Sequence, residues 1–183
     1  MSLLGPVTLT TSRLILRPLQ IEDARAMFSI WSDPDAMRYF SFVAMTHLEQ
    51  AEVRVAQKLS ALENGKNLIC ILTLRTSGEV LGDCALFNVD KQSQRAEIGF
   101  SLQRERWGNG YMNEAASALI EHAFSALDLH RIEADIDPRN SASATLLKRL
   151  GFVQEGLLRD RWIIGGEVSD SALYGLLRRD RQG

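Results

Sequence analysis

The sequence predicts an α+β domain in which a twisted, mixed and mostly antiparallel sheet of about seven strands is flanked by about four helices. The chain has 183 residues, the length of a single domain, so residues 1–183 are treated as one unit. With 45% hydrophobic and 24% charged residues, it has the composition of a globular protein that buries a core. Its apolar periodicities follow the order β-α-α-β-β-β-α-β-α-β-β, which is typical of this class.

The first strand and the first helix are predicted from alternation and from charge. Leucines alternate with arginines within residues 8–19, which indicates a strand. Acidic residues open a helix over residues 21–31, because negative charge is favourable near a helix N-terminus. Asp33-Pro34 is expected to end that helix, since the residue before a proline disfavours helical geometry.

A longer second helix is signalled by its ends. Thr46 is expected to cap it together with Glu49 three residues later, and Asn64-Gly65 is expected to end it. The remaining predicted elements are strands over residues 67–74, 79–89 and 94–102, a helix over 110–127, a strand over 131–136, a helix over 141–150, and strands over 152–164 and 168–177.

Charge, cysteine content and hydropathy exclude several function classes. The 21 basic and 23 acidic residues give a net charge of −2, which provides no broad footprint for nucleic acid. Cys70 and Cys84 lack the spacing of a metal site, so we expect buried free thiols and no bound metal. The sequence has neither an apolar run of about 20 residues nor a signal pattern, which favours a cytoplasmic protein without a membrane partner.

A glycine-containing segment, residues 104–111 (RERWGNGY), lies between a predicted strand and a predicted helix. Gly108 and Gly110 allow a tight turn with exposed N–H groups before a helix N-terminus, which suits phosphate oxygens. A plain strand-to-helix turn is the alternative. Tyr111-Met112 stands where a P-loop needs Lys and Ser or Thr, and Asn113 where a dinucleotide fingerprint needs Gly. The segment therefore favours neither ATP nor NAD.

Several ordered motifs resemble a known family. They are residues 96–100 (AEIGF) with 107–115 (WGNGYMNEA), residues 131–134 (RIEA), residues 137–143 (DPRNSAS) leading to 150–152 (LGF), and the terminal segments 11–17 and 170–177. Through these motifs, nearly the whole chain resembles the GCN5-related N-acetyltransferases (GNAT), in particular the Rim-type ribosomal-protein N-terminal acetyltransferases. The resemblance implies the GNAT fold and acetyl-CoA as co-substrate.

The resemblance also implies which residues bind acetyl-CoA. The backbone N–H groups of residues 108–112 would hold the pyrophosphate. The backbone around Phe100 and Leu102 would pair with pantetheine like an added strand, and Asn140 and Ser143 lie where this branch contacts pantetheine. The full set of expected contacts is Phe100, Leu102, Trp107, Gly108, Asn109, Gly110, Tyr111, Met112, Asn140 and Ser143.

Acyl transfer to an amine sets the remaining requirements. A neutral amine must attack the thioester, and no covalent nucleophile is needed. Glu97 is the candidate general base, acting directly or through water; alternatively it is a structural residue paired with Arg95 or Arg131. Ser143, ahead of Tyr174, is the candidate donor of a proton to the leaving thiolate, and a helix-capping role is the alternative for Ser143.

The functional hypothesis is an N-acetyltransferase that moves the acetyl group of acetyl-CoA to a primary amine by direct attack in a ternary complex. The acceptor is either a protein N-terminus, for example that of a ribosomal protein, or a small amine. A non-catalytic CoA-binding regulatory module is the alternative. Strand edges near the C-terminus make a homodimer a further expectation. An aromatic group forms either a wall of the acceptor pocket or ordinary core: Trp31, Tyr39, Phe40 and Phe42.

Overall fold

One eight-stranded sheet organises the computed structural model, which describes residues 4–63, 65 and 67–181. Its strands are β1 (Leu9–Thr10), β2 (Leu14–Pro18), β3 (Leu68–Leu74), β4 (Val80–Asp90), β5 (Arg95–Leu102), β6 (Arg131–Ile136), β7 (Val153–Ile164) and β8 (Glu167–Leu177). Their spatial order is β1-β2-β3-β4-β5-β6-β8-β7, and only the β5–β6 pair is parallel. The predicted mixed, mostly antiparallel sheet is confirmed.

Five α-helices accompany the sheet in the described part of the chain. They are α1 (Ala24–Trp31), α2 (Pro34–Met37), α3 (Leu48–Glu63), α4 (Tyr111–Ser125) and α5 (Ser141–Arg149), with short 3-10 turns at Ile21–Asp23, Arg104–Arg106 and Arg178–Arg181. None of the helices in this part of the chain has both the length and the apolarity to cross a membrane. The described part of the chain thus has one strand and one helix more than the approximate numbers that the sequence predicts.

The additional strand arises at the N-terminus, where the sequence predicts one strand over residues 8–19. The Thr11 N–H donates to the Leu14 carbonyl at 2.9 Å, and the Leu14 N–H donates to the Thr11 hydroxyl oxygen at 3.0 Å. These bonds form a tight turn, so β1 folds back and pairs antiparallel with β2. A local side-chain hydrogen bond therefore divides the predicted strand in two.

The additional helix arises at Asp33-Pro34. Helix α1 ends at Trp31, as the sequence predicts. The Asp33 side chain, however, accepts hydrogen bonds from the N–H groups of Asp35 and Ala36 at 2.9 and 3.4 Å and so caps the short helix α2. Proline is favourable at the first position of a helix, so the same pair of residues starts a new helix.

The start of helix α3 differs in detail from the predicted cap. Gln50, rather than Glu49, supplies the reciprocal side chain: its Oε1 accepts from the N–H groups of Thr46 and His47 at 2.8 and 3.0 Å. Of the predicted helix end at Asn64-Gly65, Asn64 lies outside the described residues, and the helix extends to the residue before it.

Apolar side chains fill both faces of the sheet. The larger cluster joins the sheet to α4 and α5, and the smaller joins it to α1 and α3. Cys70 and Cys84 lie opposite each other on β3 and β4 as buried free thiols, as predicted. Burial raises the pKa of Cys70 to about 12 and that of Cys84 well above its usual value, so both remain neutral core residues.

Glu114, in the first turn of α4, fastens the N-terminal segment to the rest of the fold. Its carboxylate accepts hydrogen bonds from the Thr11 and Ser12 hydroxyls and from the backbone N–H of Arg13, at 2.6, 2.9 and 2.8 Å. The Arg13 guanidinium adds an ion pair at 2.7 Å. Burial raises the pKa of Glu114, but these donors outweigh it and hold the pKa at about 2.

We expect Glu114→Gln to lower the free energy of unfolding at pH 7 by about 1–3 kcal/mol, because a charge-assisted cluster is lost. A carboxylate with a depressed pKa stabilises the fold above its unfolded pKa of about 4.3, and that stability is lost as the pH falls towards 2. Urea denaturation at pH 7 and pH 3 should therefore show the difference from the wild type shrinking at the lower pH. Glu121→Gln, on the exposed face of the same helix, is the control. A constant difference across pH would contradict this assignment.

Candidate active site

The site begins where two neighbouring strands separate. β5 and β6 are paired only over Arg95–Glu97 and Arg131–Glu133. Beyond these residues β6 stays paired with β8, while β5 continues along β4 to Leu102. The sheet therefore opens into a V-shaped gap between β5 and β6, called the cleft below.

An ion-pair network holds the narrow end of the cleft closed. Glu133 forms ion pairs with Arg95 at 2.8 Å and with Arg131 at 2.7 Å, and Arg131 also forms an ion pair with Glu155. Both arginines that the sequence offers as partners for Glu97 are thus engaged elsewhere. Within the part of the chain that the structure describes, Glu97 forms no ion pair.

Backbone groups of β5 line one side of the cleft. The Gln103 N–H donates to the Leu81 carbonyl at 2.8 Å, which makes Leu102 a non-hydrogen-bonded position of the β4–β5 ladder. Alternation along the strand then turns the backbone groups of Leu102 and Phe100 away from β4 and towards the cleft. The Leu102 carbonyl accepts the Trp107 indole N–H at 3.0 Å. Phe100 therefore presents the unpaired edge on which an extended ligand can add a strand.

The glycine loop lies just beyond the end of β5. Gly108 and Gly110 have φ angles of 73° and 76°, a region that glycine enters without steric cost. The Asn109 amide donates to the carbonyls of Arg106 and Trp107 at 3.2 and 2.9 Å. Two carbonyl groups of the turn are thus used internally.

The N–H groups of the same loop are left free. Among the described residues, no acceptor takes a hydrogen bond from the backbone N–H groups of residues 108–113, and the first intrahelical N–H of α4 is that of Glu114. Six consecutive donors next to the positive end of a 15-residue helix form a cradle for an anion. This donor set fits the phosphate groups of a nucleotide cofactor.

Side chains around the loop hold it in position and are not additional donors to the anion cradle. Arg13 donates to the Asn109 carbonyl at 2.9 Å and lies 4.5 Å from the centre of the Tyr111 ring. Arg104 pairs with Asp33 at 3.1 Å. The Met112 side chain is buried in the core, so Met112 offers only its backbone to a ligand.

A cavity of about 770 Å³ adjoins the wide end of the cleft. Phe100, Glu97, Asn140 and Ser143 line it together. Glu97 accepts a hydrogen bond from the Asn88 side chain at 2.9 Å. These residues come from β4, β5 and the N-terminal end of α5, and the separation of the strands gives them a common space.

A β-bulge positions Asn88. Between the pairs Phe87–Glu97 and Asp90–Arg95, β4 has one residue more than β5. Asn88 takes a φ of 52° there, a conformation that Asn tolerates better than most residues. Sequence reasoning missed Asn88, although an Asn between the apolar residues Phe87 and Val89 was the available signal.

The two candidate proton donors have different surroundings. Ser143 lies in the first turn of α5, where its N–H donates to the Asn140 side chain at 3.0 Å, so Asn140 is the helix cap. Tyr174 is buried on β8, and its hydroxyl donates to the Gln154 side chain at 3.3 Å. Tyr174 is absent from the cavity lining. The geometry thus brings Ser143, but not Tyr174, into the cavity with Glu97.

Helix α3 forms another wall of the cavity with residues that sequence reasoning also missed. Arg54 and Lys58, four residues apart, line the cavity beside Asp83 of β4. Burial lowers the pKa of Arg54, and the nearby Asp83 opposes this shift. All four members of the aromatic group line the cavity: Trp31, Tyr39, Phe40 and Phe42. Among them, Trp31 is also a core residue.

Comparison with known proteins shows which family this chain is similar to. The family described as acetyltransferase (GNAT) domain matches residues 13–153. A Bacillus licheniformis protein named uncharacterized N-acetyltransferase p20 is 39% identical over 96% of this chain and 99% of its own. The [ribosomal protein uS5]-alanine N-acetyltransferase of Escherichia coli is 36% identical over 56% of this chain and 53% of its own.

A solved structure agrees with the fold. Mycobacterium smegmatis RimJ in complex with CoA-disulfide superposes with a TM-score of 0.85 and 25% identity, over 98% of this chain and 88% of that one. The family match covers most of the chain, and p20 is similar along nearly its entire length. The chain therefore belongs to the GNAT acetyltransferase family.

Proposed function

We propose that this protein transfers the acetyl group of acetyl-CoA to a primary amine by direct attack in a ternary complex. One observation carries the proposal: the cleft between β5 and β6 joins an anion cradle at residues 108–113 to a cavity that contains Glu97. The cradle suits a pyrophosphate, the cleft suits an extended chain, and the cavity suits an acceptor. The solved relative with CoA supports the same ligand.

Each part of the acetyl-CoA site has a defined task in this proposal. Acetyl-CoA supplies an activated thioester, whose acyl carbon the amine attacks directly. The N–H groups of residues 108–112 bind the pyrophosphate, and the backbone of Phe100 pairs with pantetheine. Trp107, Tyr111 and Asn109 hold the loop in shape through the contacts described above. Asn140 fixes the first turn of α5 beside the cavity.

Glu97 and Ser143 handle the protons. Glu97 accepts a proton from the attacking amine, directly or through water, while Asn88 orients the carboxylate. As the new C–N bond forms, the C–S bond breaks and the sulfur leaves as a thiolate. The Ser143 hydroxyl protonates that thiolate to the thiol of CoA and takes a proton back from water, while Glu97 releases the amine proton to water, so that no net proton is gained or lost. Tyr174 has no part in this mechanism, because it is buried in the core and does not line the cavity.

The acceptor we propose is a protein N-terminal amino group. The relative named for uS5 alanine N-acetylation supports a ribosomal-protein N-terminus. A small amine is the other acceptor class that the cavity volume admits. CoA release from acetyl-CoA, measured against N-terminal peptides and small amines side by side, tests the activity and separates the two classes.

Gly108→Ala should weaken acetyl-CoA binding by about tenfold or more, because the positive φ forces the cradle to shift and charge-assisted hydrogen bonds are lost. Gly78→Ala is the matched control, since Gly78 also has a φ of 73° and open space where an added Cβ would lie. Both variants should lose about 1–2 kcal/mol of stability. Isothermal titration calorimetry with acetyl-CoA measures the affinities, and equal affinities would exclude the cradle as the phosphate site.

Glu97→Gln should lower kcat for CoA release by about 10²–10⁴-fold, the usual range for loss of a general base, and leave acetyl-CoA affinity within about twofold. Glu121→Gln, at an exposed position on α4, should retain full activity. Retention of wild-type kcat by Glu97→Gln would assign Glu97 a structural role. If the wild type binds acetyl-CoA but releases no CoA with any amine, the non-catalytic regulatory module is the better account.

We further propose that a second copy of the chain covers the outer edge of the sheet. β7 is an edge strand, and it carries Leu157, Trp162 and Ile163 at 52%, 39% and 71% exposure. Antiparallel pairing of two β7 strands would satisfy their free backbone groups and bury the apolar side chains in both copies at once.

Sedimentation velocity should therefore show a dimer that Ile163→Lys converts to a monomer. Val53→Lys, at a residue 57% exposed on α3, should leave the dimer intact. A monomeric wild type at micromolar concentration would contradict the proposed interface.

A further inference from the structure

The α3 wall of the cavity contains a cation that the proposed chemistry does not use. The Arg54 guanidinium carbon lies 3.7 Å from the centre of the Phe42 ring and 5.7 Å from that of Trp31. Its Nε is buried and has no hydrogen-bond partner among the described residues. Half-buried arginines are normally paired, because an unpaired guanidinium loses hydration without compensation.

Several charged side chains around the cavity form hydrogen bonds or ion pairs with groups other than Arg54. Asp83 accepts the Ser101 hydroxyl and lies 3.9 Å from the Lys58 ammonium. Across the cavity, Arg139 pairs with Asp137 at 2.6 Å and with Glu167. Asp83 is near enough to act on the charge of Arg54, but Arg54 forms no ion pair in the described part of the chain.

The surroundings of Arg54 suit a ligand carboxylate. Packing against the Phe42 and Trp31 rings holds the guanidinium in place, and planar guanidinium N–H groups match a carboxylate with two parallel hydrogen bonds. Because Arg54 lines the cavity, an anion that enters with the acceptor can reach it. Binding there would give the half-buried Arg54 guanidinium an ion-pair partner.

The backbone spacing between two residues of β5 indicates how far apart the amine and the carboxylate of such an acceptor should be. Asp83, next to Arg54, is paired with Ser101, and Glu97 lies four residues further along the same strand. Four strand residues span roughly 13 Å. This backbone spacing favours an acceptor whose carboxylate lies several bonds away from the reacting amine over a single amino acid, in which one carbon separates the two groups.

We propose that Arg54 binds a carboxylate of the acceptor while the acceptor's amine reaches Glu97. This inference rests on the proposed acetyltransferase function and narrows its acceptor to an acidic one. Two sources share this chemistry: an acidic side chain close behind a peptide N-terminus, and the α-carboxylate of a free amino acid. The spacing favours the peptide.

The test compares the peptide Ala-Glu-Ala-amide with Ala-Gln-Ala-amide, which differ only in the carboxylate, and compares alanine with alaninamide. For the wild type we expect kcat/KM for CoA release to be about tenfold or more higher with the Glu peptide, mainly through KM. Arg54→Gln should remove this preference and leave kcat close to that of the wild type. Arg54→Lys should restore part of it. Arg25→Gln, which removes an exposed charge on α1, should retain the full preference.

A binding measurement makes the result independent of turnover. Calorimetric titration of both peptides into protein saturated with CoA should show the same tenfold preference in the wild type and none in Arg54→Gln. Equal binding of the two peptides to the wild type, or an unchanged preference in Arg54→Gln, would overturn the inference. A carboxylate preference confined to alanine over alaninamide would assign the site to free amino acids and overturn the peptide source.

Failure of the proposed function would look different. If acceptors with and without a carboxylate give the same rate of CoA release, the acetyltransferase function stands and Arg54 has only a packing role. If acetyl-CoA neither binds nor reacts with any amine, the proposed function fails and the acceptor inference fails with it. The melting temperatures of the wild type, Arg54→Gln and Arg54→Lys show whether a loss of activity or binding comes from unfolding.

Discussion

The parallel pairing of β5 with β6 stops after three residues, and the candidate site depends on that limit. Had the two strands remained paired along their whole length, β5 would have no free edge and the cavity would have no opening. The network around Glu133 holds the strands together at one end, where Arg95 and Arg131 bind the same carboxylate. Beyond it, β6 follows β8 and β5 follows β4, so the gap widens without breaking the sheet. The cleft is therefore a consequence of register, and the side chains around it are placed by the strands that diverge.

The glycine loop is a second element that requires support from distant parts of the chain. Its free N–H groups are useful only if the loop keeps its shape without a ligand. Asn109 and Trp107 bind carbonyl groups within the loop and at the end of β5, and Arg13 reaches it from the N-terminal segment. Glu114 in turn holds Arg13. An N-terminal segment of little secondary structure thus contributes to the arrangement of donors at the start of α4.

The sequence was most informative where one local signal determined the structure. The strand over residues 131–136 is reproduced without change, because alternation and flanking loops agree. The buried thiols and the glycine turn also followed from residue type and context. Boundaries failed where a single side chain redirected the backbone: the Thr11 hydroxyl divided a strand, and the Asp33 carboxylate started a helix. Such hydrogen bonds leave no periodic signal.

The site was predictable only in part. The chemistry of acyl transfer pointed to Glu97 and, with the family motifs, to Ser143, and both line the cavity. The motifs also pointed to the glycine loop, which lies just beyond the end of β5. Tyr174 shares a strand face with core residues, which its sequence position did not reveal. Asn88 and Arg54 were missed because their proximity to the cavity depends on a bulge and on the packing of α3 against the sheet. These are tertiary effects that no short motif records.

The claim that the cleft and glycine loop form an acetyl-CoA site is tested most directly by thermal unfolding of the wild type with acetyl-CoA, CoA, ATP and NADH in parallel. At a concentration of 100 times Kd, a ligand of the native state adds about 2.7 kcal/mol, which should raise the Tm by roughly 5–11 °C for a domain of this size. The account predicts this rise with acetyl-CoA and with CoA, and none with ATP or NADH at the same concentration. A rise with ATP or NADH alone would contradict the assignment, and no rise with any of the four would leave the loop as a plain strand-to-helix turn.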